Sequence, residues 1–314
     1  MGNVLIGFAI IAIIIGLGAV LARVGVLADA DRATLSRLTF LVASPALLFD
    51  ILSKADLAHV FSVNLAATVI SVAAAFVVYQ LIDVVLVRLR RAPAANRSER
   101  LITGMTGVYV NAGNLGLPVA TYVLGNPAFM APALLLQLLV LQPFTLGFLD
   151  NERSRAGGGA GWLAIASLPF RNPMTIGSAL GVLVAYTGVV PPTWLTEPIS
   201  MVGGMAVPGM LLAFGASLVL GPKFGASGSM WRVGSASLVK LLVQPLTAFA
   251  AASALGGSPE IVFAATVTAS LPAAQNLFII ASRYDAAAPL VRDIILATTF
   301  GSLPVVFAAS YLLH

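Results

Sequence analysis

Residues 108–124 read VYVNAGNLGLPVATYVL, from Val108 to Leu124. Apolar flanks make the stretch a candidate membrane helix. Its centre, however, holds Asn111, Gly113, Asn114, Gly116 and Pro118. Glycine and proline disfavour helix interiors, and an asparagine side chain in hydrocarbon needs hydrogen-bond partners. A backbone broken at membrane depth is tolerated only where protein buries it or where it lines a water-filled cavity. A second stretch has the same build: EIVFAATVTASLPAAQNLFIIASRY, from Glu260 to Tyr284, with Pro272, Gln275 and Asn276 at its centre. Two such breaks in corresponding places point to a binding site between half-helices.

Composition supports a membrane setting for both. The chain has 314 residues, 59% of them hydrophobic and 9% charged, against roughly 25% charged in an average soluble domain. Mean hydropathy is +0.98. Apolar runs of about 20 residues, enough to cross ~30 Å of hydrocarbon, recur along the whole length. The pattern predicts an all-α polytopic membrane protein with ten transmembrane helices, at 3–22, 34–52, 59–87, 101–124, 129–149, 172–190, 194–219, 231–255, 259–282 and 289–313. The first span lacks a preceding basic residue and is read as a retained helix, not a cleaved leader.

Loop charge orients the spans. Loops after odd-numbered spans carry nearly all the basic residues, among them Arg23, Arg88, Arg90, Arg91, Arg153, Arg171, Lys223 and Arg283. Loops after even-numbered spans carry Lys54 alone. Short Lys/Arg-rich loops stay cytoplasmic, so both termini are expected on the periplasmic or extracellular side of the inner (plasma) membrane. This topology also accounts for the formal charge of +5, and nucleic acid is not expected as a partner. Trp162, Trp194 and Trp231 fall at span ends, where the indole ring suits the headgroup region. There is no cysteine, and the two histidines, His59 and His314, lie far apart in sequence. Disulfides and thiolate sites are excluded, and no metal site or cofactor is expected.

The Gly-rich stretch RAGGGAG, Arg155–Gly161, bisects the chain. Across it, Pro45 and Pro208, Asn114 and Asn276, and Pro143 and Pro304 pair at nearly one offset, 163, 162 and 161 residues. This predicts a first five-helix repeat at 1–150, a cytoplasmic linker at 151–171 and a second five-helix repeat at 172–314. Five is odd, so the second repeat enters the membrane inverted relative to the first, as in many secondary transporters.

The half-helix after each break would start with free N–H groups and a positive dipole end, a setting for an anion. Pro118 fits an early helical position, where a missing N–H costs little. Asn111, Asn114, Gln275 and Asn276 supply amides, with Gly113 and Pro272 shaping the breaks. Gln142, mid-span beside Pro143, either faces a cavity or bonds a neighbouring helix. Lys240 lies about 12 Å along the helix from Arg232. It draws in an anion, pairs with a carboxylate, or snorkels to the interface. Asp83 partners Lys240, binds H⁺ or Na⁺, or pairs with an interfacial arginine. No nucleophile–base pair, carboxylate pair or phosphate loop is present, so an enzyme is not expected.

The stretches FLVASPALLF, NAGNLGLPVA, VLQPFTLGF, ASLPAAQNLFIIASRYD and ILATTFGSLPVVF, in this order, resemble the auxin efflux carrier family. That family includes bacterial malate and malonate permease-like members and the plant PIN carriers. The resemblance implies that helices four and nine cross at their breaks. It implies a scaffold of helices 1, 2, 6 and 7 and a transport domain of helices 3–5 and 8–10. It further implies a homodimer, elevator-type alternating access, and a small organic carboxylate anion held near Asn114, near Gln275 or Asn276, and near Gln142. The bile acid–sodium symporter group shares the architecture, so coupling to H⁺ or Na⁺ stays open. A Na⁺-coupled organic-anion symporter and a membrane receptor that binds without transport are the alternative readings.

Overall fold

The computed structural model describes residues 2–54, 63–92, 94–155, 173–220, 225 and 227–313. His59, Trp162, Arg171, Lys223, His314 and most of the Gly-rich stretch lie outside them. The side chain of Asn114 is also outside the described set.

The described residues are helical throughout, apart from turns and one isolated pair of extended residues. Helix α1 spans Gly2–Arg23. Helices α2 (Asp29–Leu38) and α3 (Ser44–Ser53) are joined by a π-helical turn. A long α4 covers Val63–Arg88. The first interrupted segment comprises α5 (Arg97–Thr106), an extended stretch, a π-helical turn and α6 (Leu117–Tyr122). Next come α7 (Ala131–Leu136), a π-helical turn and α8 (Gln142–Arg155). Helix α8 continues through Arg155, into the stretch read as linker, and the rest of that stretch lies outside the described residues. Helices α9 (Pro173–Thr187), α10 (Thr193–Gly204) and α11 (Ala206–Leu220) follow. Then α12 (Met230–Leu238), a π-helical turn and α13 (Gln244–Ala254) form one run. The second interrupted segment is α14 (Pro259–Ser270) and α15 (Asn276–Arg283), and α16 (Ala288–Leu313) ends the chain.

Six of these stretches are long and apolar enough to cross a membrane: 29–53, 63–88, 127–153, 193–220, 230–254 and 288–313. Shorter apolar helices lie at Ala9–Arg23 and Ile176–Thr187. Large apolar side chains such as Ile13, Leu81, Leu246 and Phe300 are exposed, as suits a surface that meets hydrocarbon. This is a multi-pass membrane protein.

The π-helical turns have one local cause. Each of the four among the described residues (Thr39–Ala43, Ala112–Gly116, Gln137–Leu141 and Val239–Val243) is followed by one residue and then a proline: Pro45, Pro118, Pro143 and Pro245. Proline has no N–H, and its ring clashes with the carbonyl four residues back. Widening the turn relieves both problems. The amide before the proline reaches five residues back instead: Ser44 to Thr39, Gln142 to Gln137, and Gln244 to Val239. Pro304 sits in α16 with no widened turn, so its expected correspondence with Pro143 is not repeated in local geometry.

The chain divides into two compact units. The first comprises 1–62, 112–135 and 169–222. In it α1 packs on α11, and α9 and α10 pack on α3. Glycine makes these contacts close. A Cβ at Gly18 would collide with the Leu212 backbone, one at Gly215 with the Ile15 carbonyl, and one at Gly177 with the Pro45 backbone. Helices in lipid gain little from burial against each other, so close backbone approach through small residues supplies the packing. The second unit comprises 63–111, 136–168 and 223–314. There α4 packs on α13 and α14, and α16 packs on α12 and α14. Its core includes Tyr79, Ile102, Tyr109, Val239, Leu277, Val291 and Ile294.

Candidate functional site

Both helix breaks have sequence causes. Pro272 excludes the residue before it from helical geometry, and Leu271 accordingly takes φ −62°, ψ 152°, ending α14. In the first segment Pro118 is not the breaker. Helix α5 ends at Thr106, Gly107 caps it, Gly107 and Val108 form a turn, and Tyr109–Asn111 leave the helix, with Val110 in a bridge. The following helical run starts at Ala112 with a widened turn, and Pro118 is the second residue of α6, an early position as expected.

Within the second unit the two breaks lie side by side. Val110 and Ala273 form an antiparallel bridge. The Asn111 N–H donates to the Pro272 carbonyl at 2.8 Å, and the Ala274 N–H donates to the Tyr109 carbonyl at 3.2 Å. Backbone groups released by the breaks are satisfied by each other, as buried peptide groups require.

Side chains complete the accounting. Gln244 Nε2 donates to the Val108 carbonyl at 2.8 Å, and Gln137 Nε2 donates to the Val110 carbonyl at 3.1 Å. The Tyr109 hydroxyl donates to the Gln137 carbonyl at 2.9 Å. Thr298 Oγ1 accepts the Ala273 N–H at 3.1 Å. Lys240 Nζ donates to Gln244 Oε1 at 2.6 Å and to the Ala269 carbonyl at 2.8 Å. Ala269 is in the last turn of α14, where carbonyls lack intrahelical partners and the dipole is negative. The ammonium is fully buried, so Lys240 does not snorkel. Among the described residues no carboxylate pairs with it.

The expected site residues distribute as follows. Asn111 and Pro272 are buried and joined by their backbones. Gln275 caps α15 and Asn276 begins it, so the positive end of that eight-residue helix starts at the bridge. Asn276 Oδ1 is buried with no hydrogen-bond partner among the described residues. Gly113 lies in the widened turn after the first break, as does the backbone of Asn114. Gln142 is half-buried at the start of α8 and makes no side-chain hydrogen bond among the described residues. Asp83 does not meet Lys240. It accepts from Arg232 Nε at 2.8 Å and from Arg100 Nε at 3.2 Å, tying α4 to α12 and α5.

Sequence reasoning missed Gln137, Gln244, Tyr109 and Thr298. A signal existed for one of them: QPFT at 142–145 recurs as QPLT at 244–247, and the buried, bonded glutamine is the second. Gln137 is a lone amide in an otherwise apolar run. Asp293 was also missed. It is fully buried and accepts the Gly225 and Ser227 N–H groups at 3.1 and 2.9 Å, holding the approach to α12 against α16. No cluster of metal-ligating side chains occurs among the described residues.

A multi-pass helical membrane protein, with a polar centre built from two interrupted helices, is the class these features define. The chain belongs to the auxin efflux carrier family: it matches the family described as "Membrane transport protein" over residues 4–156 and 165–308. It is 30% identical over 285 residues to a Rhizobium meliloti (strain 1021) protein named "Putative malonate transporter", covering 88% of this chain and 86% of that one. It is 27% identical over 298 residues to an "Uncharacterized transporter" of Methanothermobacter thermautotrophicus, covering 93% of each.

Proposed function

We propose that this protein is a secondary transporter of small organic carboxylate anions in the inner membrane, with a malonate-type dicarboxylate as the first substrate to test. The observation that carries this reading is the antiparallel pairing of the two breaks at Val110 and Ala273. Such pairing leaves a helix start and several amides at one polar locus inside an apolar protein. The carboxylate is held there by Asn111, Gln275 and Asn276. Helix-start N–H groups and amide donors bind an anion without covalent chemistry. The name of the Rhizobium relative supports the substrate class.

The finer architecture belongs to the same proposal. Ten crossings form two inverted five-helix repeats whose fourth and ninth helices cross at the breaks, with both termini outside. Helices 1, 2, 6 and 7 are the scaffold, the others the elevator, and the working form is a homodimer. The division of the chain agrees with this for α1–α3 and α9–α11, in one compact unit, and for α4, α5, α8 and α12–α16, in the other, whereas α6 and most of α7, assigned to the elevator, cluster with the first unit. Flux of labelled malonate into proteoliposomes tests the reading. Saturable uptake is expected; reproducible binding without flux makes the protein a receptor instead. Varying pH and Na⁺ in the same assay reads the coupling.

A further inference from the structure

Lys240 is the one full charge bonded directly to the paired breaks among the described residues. It lies inside the widened turn Val239–Val243 that Pro245 imposes, and its ammonium is wholly buried. Its acceptors are both neutral oxygens: the Ala269 carbonyl at the negative end of α14 and the Gln244 amide oxygen. Gln244 in turn donates to the Val108 carbonyl. One cation therefore reaches both breaks, the second directly and the first through one amide.

Carbonyl oxygens at half-helix C-termini form the setting in which interrupted membrane helices coordinate an alkali ion. A cation there offsets the dipole and the unpaired carbonyls of the last turn. An ammonium carries the same charge and seeks the same oxygens. A lysine has one further property, in that it cannot leave.

We propose that the Lys240 ammonium is a built-in cation that takes the place of a bound alkali ion at the paired breaks, making the site independent of Na⁺. This rests on the carrier reading only for its transport consequence. The charge positions the carbonyl-bearing ends of the breaks and does not contact substrate.

Two measurements test it. The first is thermal unfolding of purified protein in detergent, with Na⁺, methylammonium or choline at equal ionic strength, and needs no substrate. Wild type is expected to melt alike in all three. Lys240→Ala, which removes the charge and opens space, is expected to melt lower in choline and to recover in methylammonium or Na⁺. Lys240→Met, which fills the space without charge, is expected to melt lower and to recover in neither. Na⁺-specific stabilisation of wild type overturns the proposal, as does an Ala variant indifferent to all three cations. If the Ala variant does not fold, the wild-type and Met results decide.

The second is malonate flux in proteoliposomes. Wild-type uptake is expected to change by less than about twofold when Na⁺ replaces choline, whereas Lys240→Met is expected to lose about tenfold or more, as for a lost hydrogen bond from a charged group. Wild-type uptake that requires Na⁺ overturns the built-in cation and leaves the carrier reading intact. Absence of uptake in every buffer overturns the carrier reading, while the melting experiment still decides the cation.

Discussion

Replacing Gln244 by leucine distinguishes the glutamine that holds the breaks from the one that sequence singled out. Leucine keeps much of the volume and removes both hydrogen bonds. The Val108 carbonyl loses its 2.8 Å donor, and the Lys240 ammonium loses one of its two acceptors. Orphaning a buried carbonyl costs about 1–3 kcal/mol, and a bond to a charged group contributes about 1.5–3 kcal/mol. Interhelical hydrogen bonds in bilayers have averaged nearer ~0.6 kcal/mol, which sets the sum toward the lower side, about 2–4 kcal/mol. At about 2–4 °C per kcal/mol for a chain of 150–250 residues, unfolding should fall by roughly 5–15 °C. Gln142→Leu is the control. That side chain is half-buried and unbonded among the described residues, so its loss should stay within about 0.5 kcal/mol. Thermal unfolding of the two variants in one detergent reads the difference. Melting temperatures within about 1 °C of each other would refute the claim that Gln244 secures the first break.

Three other perturbations have definite expected outcomes. Gly215→Leu places a side chain on the Ile15 carbonyl where α1 meets α11, so folded, monodisperse protein should be lost in size-exclusion chromatography, whereas Gly16→Leu, with open space at that position, should purify normally. Asp83→Ala removes the carboxylate that Arg232 Nε meets at 2.8 Å and should cost about 1.5–3 kcal/mol, as for a lost hydrogen bond between charged groups. Adding Arg232→Met should recover most of the lost melting temperature, while Arg100→Ala, removing an arginine side chain that is 40% exposed, should cost less than about 1 kcal/mol. Asn276→Ala should weaken malonate binding by about tenfold at an unchanged melting temperature, as for one hydrogen bond to a charged ligand. Calorimetry that returns the wild-type Kd removes that asparagine from the site.

The six long apolar helices were legible in the sequence because each declares itself by sustained apolarity. Both interruptions were legible because Asn, Gly and Pro in such a setting require a reason. The location of the first interruption was not. Pro118 drew attention to itself, but a proline near a helix start is accommodated by widening the turn before it, and the chain opens instead at Gly107–Asn111. Site chemistry was legible where a residue type is anomalous by itself, as with Lys240 and Asp83. Their partners were not, because partnership is a matter of distance. Lys240 meets a carbonyl 29 residues away and a glutamine on its own helix. Asp83 finds an arginine 149 residues along the chain. Gln137 and Gln244 resemble ordinary interhelical amides until the carbonyls they serve are seen to be broken ones.

The widened turns have a consequence for anyone who would alter the prolines. Each holds one residue more than an α-helical turn over the same rise, so the chain beyond it is rotated by about 100° relative to an uninterrupted helix. Proline is the reason the extra residue was accepted, but it is no longer what keeps it there. Substituting Pro245 by alanine restores the missing N–H without shortening the chain. An ordinary helix could then be regained only by turning everything from Gln244 to Ala254 onto a different face, carrying Gln244 away from Val108. The bulge is written into the count of residues, and a faithful reversal needs a deletion together with the substitution.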